Sequence, residues 1–247
     1  MSGNARYALL DALRGFCLLS MIAYHATYDL VALYGVRLPW YFETPGYLWQ
    51  QSICWGFILL SGVSWHFGRS PLKRGLLISA CGLGITLVTA LFMPSQRIVM
   101  GVLSLLGAAA LLMIPVDRAL TRVDPRLSAM VSAALFFVTR NVNQGTLGFE
   151  GLHLARLPDF LYALPGGFIL GFPPASFYSS DYFALLPWFF LFSFGHFWWR
   201  CLKEHSRVKA ALRFDLPVLS LLGKKSLIIY LLHQPLILLV LAAVMRR

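Results

Sequence analysis

The stretch ALLDALRGFCLLSMIAYHATYDLVALY, residues 8–34, decides the fold class of this chain. It is longer than the roughly 20 mostly apolar residues that a helix needs to cross a bilayer. It nevertheless contains four ionisable side chains, namely Asp11, Arg14, His25 and Asp29. We therefore predict a transmembrane helix that carries a polar stripe.

The composition of the whole chain also indicates a membrane protein. Of 247 residues, 58% are hydrophobic and 13% are charged, whereas a soluble domain has about 25% charged residues. The net charge is +11, but the basic residues form short clusters between apolar runs, so we expect membrane lipid and no nucleic acid as a partner. The four cysteines and six histidines have no ligand spacing, so we predict no metal site.

Seven apolar runs are candidates for membrane-spanning helices. The fifth is short, and in the last we expect Pro217–Gly223 to lie at the interface and the crossing to begin near Ser226. The predicted fold is therefore all-α, a polytopic bundle of about seven transmembrane helices that forms a single domain over residues 1–247. The runs are 8–34, 48–67, 75–93, 98–116, 127–139, 183–201 and 218–245.

The distribution of Lys and Arg predicts the orientation of this bundle. The N-terminal tail and the even-numbered loops contain twelve basic residues, including Arg6 and Arg69, and the other side contains six, including Arg246 and Arg247. The positive-inside rule then places the N-terminus in the cytoplasm, in a bacterial-type inner membrane. Residues 141–181 become a 41-residue extracytoplasmic loop, long enough to suggest a function.

The four ionisable residues of the first span lie on one face of the predicted helix. At 100° per residue they fall within an arc of about 60°, and His25 lies about 21 Å along the axis from Asp11. Such a stripe must face a polar cavity or other polar groups. His25 and Asp29 are four positions apart, so we consider two interpretations: a general base with its orienting carboxylate, or a polar pair that holds helices together.

Other polar residues in the spans allow both structural and functional interpretations. His233 and Gln234 lie near mid-membrane in the last span, where a lone histidine is more often a satisfied bundle residue. Ser61 and its small neighbours favour close helix packing. Asp181 is placed to cap the sixth helix. His66 and His196, near the ends of their spans, are candidates for an anionic ligand site or for interface anchoring.

Several segments resemble the heparan-α-glucosaminide N-acetyltransferase catalytic-domain family, which is related to the acyltransferase family 3 membrane enzymes. The matching motifs together make up about a third of the chain. The chain departs from the family at Val102–Leu105, where members often have a His or Gln. The matching segments are Asp11–Phe16 with His25 and Asp29-Leu30, Phe57–Ser64, Asp181–Phe183 with Pro187-Trp188, and Leu222–Pro235.

The resemblance implies a transfer of an acyl group, usually acetyl, from cytoplasmic acyl-CoA to an extracytoplasmic sugar or small-molecule acceptor. His25 would be the reacting histidine, as base or acyl carrier, with Asp29 as its partner. The remaining candidates are divided between the two substrates. We assign Arg14, Asp11, Ser61 and His233 to acyl-CoA, and Asp181 and Gln234 to the acceptor.

Two other functions stay open on the sequence alone. A chain of acidic, basic and imidazole groups inside a membrane is also typical of a proton-coupled transporter. A catalytically silent membrane partner is the third possibility, and a homodimer is compatible with all three.

Overall fold

The computed structural model describes residues 7–68 and 70–245. Within these residues the chain is mainly helical, with one two-stranded antiparallel hairpin, so the all-α fold class is confirmed. The basic residues Arg6, Arg69, Arg246 and Arg247, which entered the orientation count, lie outside the described part of the chain.

The described helices follow the apolar runs of the sequence and are joined by short 3-10 turns and loops. The helices are α1 (Ala8–Ala32), α2 (Thr44–Ser64), α3 (Pro71–Phe92), α4 (Val102–Ala119), α5 (Pro125–Thr139), α6 (Gly167–Leu170), α7 (Leu185–Leu202), α8 (Ser206–Ala211), α9 (Pro217–Lys224) and α10 (Ser226–Met245), and the strands are β1 (Thr146–Phe149) and β2 (Leu152–Arg156).

Each predicted span contains a helix, with ends shifted by several residues. The last run divides as predicted, because α10 begins at Ser226 after the separate helix α9. In the part of the chain that the structure describes, four helices, α1, α3, α4 and α10, are long and apolar enough to cross a membrane. The count of seven spans stays a prediction, and α5, with 15 residues, is shorter than a typical crossing.

The chain divides into two compact units, and each is described by itself. The first contains Met1–Leu60 and Leu202–Arg247, and the second contains Ser61–Cys201. The assignment of residues 1–247 to a single domain stays a prediction.

In the first unit, α1 packs backbone to backbone against α9. A Cβ added to Gly15 would lie 2.0 Å from the carbonyl oxygen of Leu219, and one added to Gly223 would lie 1.8 Å from that of Asp11. Both distances are far below van der Waals contact, so only glycine permits this approach. The two glycines therefore bring α9 against the N-terminal end of the polar stripe.

In the second unit, α3 and α4 form a similarly close pair. A Cβ on Gly82 would lie 2.6 Å from Ser104 Oγ, and one on Gly107 would lie 2.3 Å from Ser79 Oγ. The indole N–H of Trp65 donates to the carbonyl oxygen of Ala110 at 3.0 Å. This bond attaches the end of α2 to the middle of α4.

The segment 141–181 is ordered rather than a plain loop. Strands β1 and β2 are joined by a tight turn in which Glu150 has a φ of 50°. The side-chain amide of Asn141 donates to the carbonyl oxygens of Glu150 and Leu152 at 2.8 and 3.2 Å. The sequence did not predict this hairpin, because the strands lack the alternation that marks a half-buried sheet.

The apolar part of this segment is held by contacts within the segment and with its immediate neighbours. The hydroxyls of Tyr162 and Tyr182 donate to the carbonyl oxygens of Val142 and Phe168. A Cβ on Gly171 would lie 3.2 Å from the side chain of Val142. These contacts fold the segment onto itself between α5 and α7.

Arg140 joins the hairpin to α7, and its replacement by methionine is expected to destabilise the second unit. Its side chain is 10% exposed, pairs with Glu150 at 3.2 Å and lies 4.9 Å above the ring of Trp188. We expect a loss of about 1–3 kcal/mol, because both the ion pair and the cation–π contact disappear. Thermal unfolding, monitored by intrinsic fluorescence, measures this loss of stability.

Arg156→Met is the matched control for this prediction. Its pair with Asp159, at 3.7 Å, joins side chains that are 82% and 91% exposed, so its loss should leave the unfolding temperature unchanged. Equal unfolding temperatures for Arg140→Met and Arg156→Met would contradict the role given to Arg140.

Candidate functional site

The polar stripe of α1 faces α9 and α10 of the first unit. Asp11 and Asp29 are buried, with 6% and 2% of their surface exposed, and Arg14 and His25 are half-buried. The backbone of Asp11 contacts α9, and His25 and Asp29 contact α10. The stripe therefore meets other polar groups, one of the two surroundings expected for it.

At the N-terminal end of the stripe, Arg14 and Asp11 form an ion pair. The Nη1 of Arg14 donates to Asp11 Oδ1 at 3.1 Å. Their side chains are 22% and 8% exposed, so the arginine is the more accessible partner.

At the other end, Asp29 has a different partner from the one that its spacing suggested. The amide nitrogen of Gln234 donates to Asp29 Oδ2 at 2.8 Å. Within the described residues no hydrogen bond joins Asp29 to His25, so the expected orienting pair is not formed. The reason is tertiary: α10 places the amide of Gln234 beside the carboxylate and the ring of His233 beside His25.

His25 instead has a second histidine as its neighbour. The ring centroids of His25 and His233 are 5.0 Å apart, at an interplanar angle of 61°. His233 is buried, and its Nδ1 bonds to the carbonyl oxygen of Tyr230. The two histidines and the Asp29–Gln234 pair form what we call the α1–α10 centre: His25, Asp29, His233 and Gln234.

Aromatic side chains that the sequence did not single out pack beside this centre. The hydroxyl of Tyr41 donates to the carbonyl oxygen of Tyr24 at 3.2 Å, and the indole N–H of Trp49 donates to Ser20 Oγ at 2.8 Å. The ring of Tyr24 lies 6.0 Å from that of His25. The available signal was the aromatic density between Trp40 and Trp49.

Ser61 and Asp181 belong to the second unit. Ser61 is half-buried, and a Cβ on the adjacent Gly62 would lie 2.0 Å from the carbonyl oxygen of Phe192, so close packing at this point is confirmed. Asp181 caps α4 rather than the sixth predicted helix, because its carboxylate accepts the backbone N–H of Val102. The loop that precedes α7 brings Asp181 to the N-terminus of α4, where its side-chain oxygen can accept a backbone hydrogen bond.

The second unit also has a histidine cluster of its own. His66 and His196 stack with ring centroids 4.2 Å apart, and His196 Nε2 lies 2.8 Å from Asp117 Oδ1. Arg200 lies 3.5 Å from the same carboxylate oxygen. The sequence had marked both histidines but not Asp117, which ends an apolar run and lies 79 positions before its partner.

A comparison of the sequence with known protein families assigns the chain to a family. The family described as heparan-alpha-glucosaminide N-acetyltransferase, catalytic, matches residues 6–235. The chain belongs to this family. The searches of curated proteins and of solved structures gave no match.

Membership in the heparan-alpha-glucosaminide N-acetyltransferase catalytic family makes the chain a membrane acetyltransferase in general terms. The four long apolar helices agree with an integral membrane protein. In the described residues, no group of three or more His, Cys, Asp or Glu side chains is arranged to hold a metal ion. The matched region includes every residue of the α1–α10 centre.

Asp181 gives this acetyltransferase a pH-dependent stability. Burial raises the pKa of Asp181 from its usual 3.8 to about 6, and the Val102 N–H opposes part of the rise. The folded state thus holds this proton more tightly than the unfolded state, so stability is lost as the pH rises from about 4 to about 6 and stays lower above that. Asp181→Asn keeps an oxygen for the cap and removes the charge.

We therefore expect Asp181→Asn to unfold at a higher temperature than the wild type at pH 7.5. The gain in free energy of unfolding is at most about 3 kcal/mol, and it should disappear near pH 4. Thermal unfolding in detergent at four pH values between 4 and 7.5 measures it. A difference between the two proteins that is constant with pH would contradict the titration of Asp181.

Proposed function

We propose that this chain transfers an acetyl group from cytoplasmic acetyl-CoA to a hydroxyl or amine of an extracytoplasmic sugar or small acceptor, in a bacterial-type inner membrane. The α1–α10 centre carries the proposal, because it unites two imidazoles, a carboxylate and an amide in an otherwise apolar helix pair. Family membership supplies the reaction class, and the centre supplies groups suited to it.

The donor is proposed to approach along the stripe of α1. Arg14 is the accessible cation of its pair with Asp11, and CoA offers phosphates to such a group. Asp11 and His25 lie on one helix face about 21 Å apart. An extended donor with its phosphates at the inner end can therefore present its thioester toward His25.

His25 is proposed as the reacting histidine in one of two ways. It takes the proton of the acceptor while the acceptor attacks the thioester directly, or it attacks the thioester itself and carries the acetyl group. In both routes the bond between the acyl carbon and sulfur breaks and CoA leaves as the thiol. Asp29 and Gln234 hold α1 and α10 together beside this histidine.

The proposed centre is limited to the first unit. Gln234 is its candidate contact to the acceptor, because its amide oxygen is buried and has no hydrogen-bond partner in the described structure. His233 completes the centre beside His25. Asp181 is not part of the proposed centre, because its carboxylate accepts the backbone N–H of Val102 at the N-terminus of α4.

Acetyl transfer by the purified protein tests the proposal. The protein in lipid nanodiscs is incubated with labelled acetyl-CoA and a panel of amino sugars and neutral sugars, and products are identified by mass spectrometry. We expect an acetylated acceptor and an equal amount of free CoA. Folded protein that neither acetylates an acceptor nor hydrolyses acetyl-CoA would overturn the proposal, and proton-coupled uptake by liposomes would favour a transporter.

Membrane vesicles of opposite orientation test the proposed direction. Inverted vesicles expose the cytoplasmic face, so added acetyl-CoA should acetylate an acceptor enclosed in them. Right-side-out vesicles should be active only when acetyl-CoA is enclosed. The reverse pattern would place the donor on the other side and contradict the orientation derived from the positive residues.

A further inference from the structure

The tautomer of His233 is set by its backbone partner. Its Nδ1 bonds to the carbonyl oxygen of Tyr230, and a carbonyl oxygen only accepts hydrogen bonds. Nδ1 must therefore carry the hydrogen. In the neutral imidazole the other nitrogen, Nε2, is then an unprotonated acceptor and a base.

This basic nitrogen is buried without a partner. His233 is 7% exposed, and its Nε2 has no hydrogen-bond partner among the described residues. Buried polar atoms are nearly always paired, so an orphaned one indicates a place for a ligand group. The ring of His25, 5.0 Å away, borders the same place.

A second orphaned acceptor follows directly in the sequence. The carboxylate of Asp29 only accepts, so the amide nitrogen of Gln234 must face it, as the 2.8 Å bond shows. The amide oxygen then points elsewhere, and it too is buried and has no partner in the described part of the chain. His233 and Gln234 of α10 therefore each have a buried acceptor atom that meets no donor in the described residues.

We propose that His233 is the catalytic base of the transfer and that Gln234 positions the acceptor. This assignment rests on the proposed function. The proton of the acceptor passes to Nε2 of His233, and His25 carries the acetyl group. The amide oxygen of Gln234 accepts a hydrogen bond from a second N–H or O–H of the acceptor. The site therefore takes an acceptor that has two neighbouring hydrogen-bond donors.

The chemical step balances with these groups. The acceptor nitrogen or oxygen forms a bond to the acetyl carbon, and the bond from that carbon to a ring nitrogen of His25 breaks, its electron pair returning to the ring. The proton released by the acceptor passes to Nε2 of His233. Because the His25 ring gave its own N–H proton to the CoA sulfur when it was acetylated, it leaves the acetyl carbon as an anion. The proton then passes from His233 to this ring, which restores both neutral imidazoles for the next acetyl-CoA.

The kinetics of a His233→Gln variant distinguish a catalytic base from a purely structural histidine. We expect the kcat of the variant to fall at least about 100-fold with an ordinary amine or hydroxyl acceptor, the usual effect of losing a general base. With hydroxylamine, which attacks without a base at neutral pH, the loss should be less than about fivefold. A structural role would lower both rates equally.

His205→Gln is the matched control, since His205 is exposed in the same unit, and it should keep wild-type rates. A His233→Gln loss below about threefold, or equal losses with both acceptors, overturns the proposal. If His233→Gln does not fold, His233→Asn takes its place with the same two acceptors, because the asparagine amide can still donate to the carbonyl oxygen of Tyr230 and lacks the basic Nε2.

The outcomes separate this proposal from the function on which it rests. Acetyl transfer by the wild type together with an undiminished His233→Gln variant overturns the assignment of the base alone. No transfer by the folded wild type overturns the proposed function and this assignment with it.

Discussion

His25→Ala is expected to reduce acetyl transfer at least about a thousandfold in kcat/KM. In the proposed reaction His25 is in contact with the reacting group, so its removal takes away the covalent carrier or the base of the transfer. Binding of acetyl-CoA should change little, because the proposed donor contacts at Arg14 and Asp11 lie about 16 Å and about 21 Å along the helix from His25. Steady-state rates give kcat/KM, and a direct binding measurement gives the affinity for acetyl-CoA.

His205→Ala provides the comparison for this variant, since it removes an exposed histidine of the same unit. Elution as a single peak and an unchanged unfolding temperature show that each variant is folded. A folded His25→Ala variant whose kcat/KM stays within about threefold of the wild type would remove His25 from the reaction. It would also favour a catalytically silent role for the centre.

Gly223→Leu is expected to prevent folding of the first unit. A Cβ at this position would lie 1.8 Å from the carbonyl oxygen of Asp11, which is backbone and has no rotamer to change. Accommodating leucine requires α9 to move away from α1, and the buried Asp11 then loses its surroundings. Yield of monodisperse protein after detergent extraction and its thermal unfolding measure the effect.

Gly84→Leu is the control for this substitution. Gly84 also lies within a helix, α3, but a Cβ added to it meets no atom within 4 Å. Its replacement should leave yield and unfolding temperature close to those of the wild type. Wild-type yield and stability of Gly223→Leu would show that the α1–α9 contact is looser than these distances imply.

The helices and the polar stripe were predictable because both depend on local rules. Length and apolar composition identify a helix that can cross a bilayer, and 100° per residue places Asp11, Arg14, His25 and Asp29 on one face. The break before Ser226 was also predictable from the two lysines that precede it. The hairpin at 146–156 was not, because its strands have no alternating pattern and are held by Asn141 rather than by a buried face.

The sequence by itself determined the class of the protein, the position of His25 on the stripe and the residues that resemble the acetyltransferase family. Only the tertiary structure decided which groups meet: Gln234 with Asp29 across 205 positions, His233 with His25, and Asp181 with the N-terminus of α4. The physical reason is that a helix sets the direction of its own side chains, whereas hydrogen-bond partners, tautomers and burial depend on the neighbouring helix and its register.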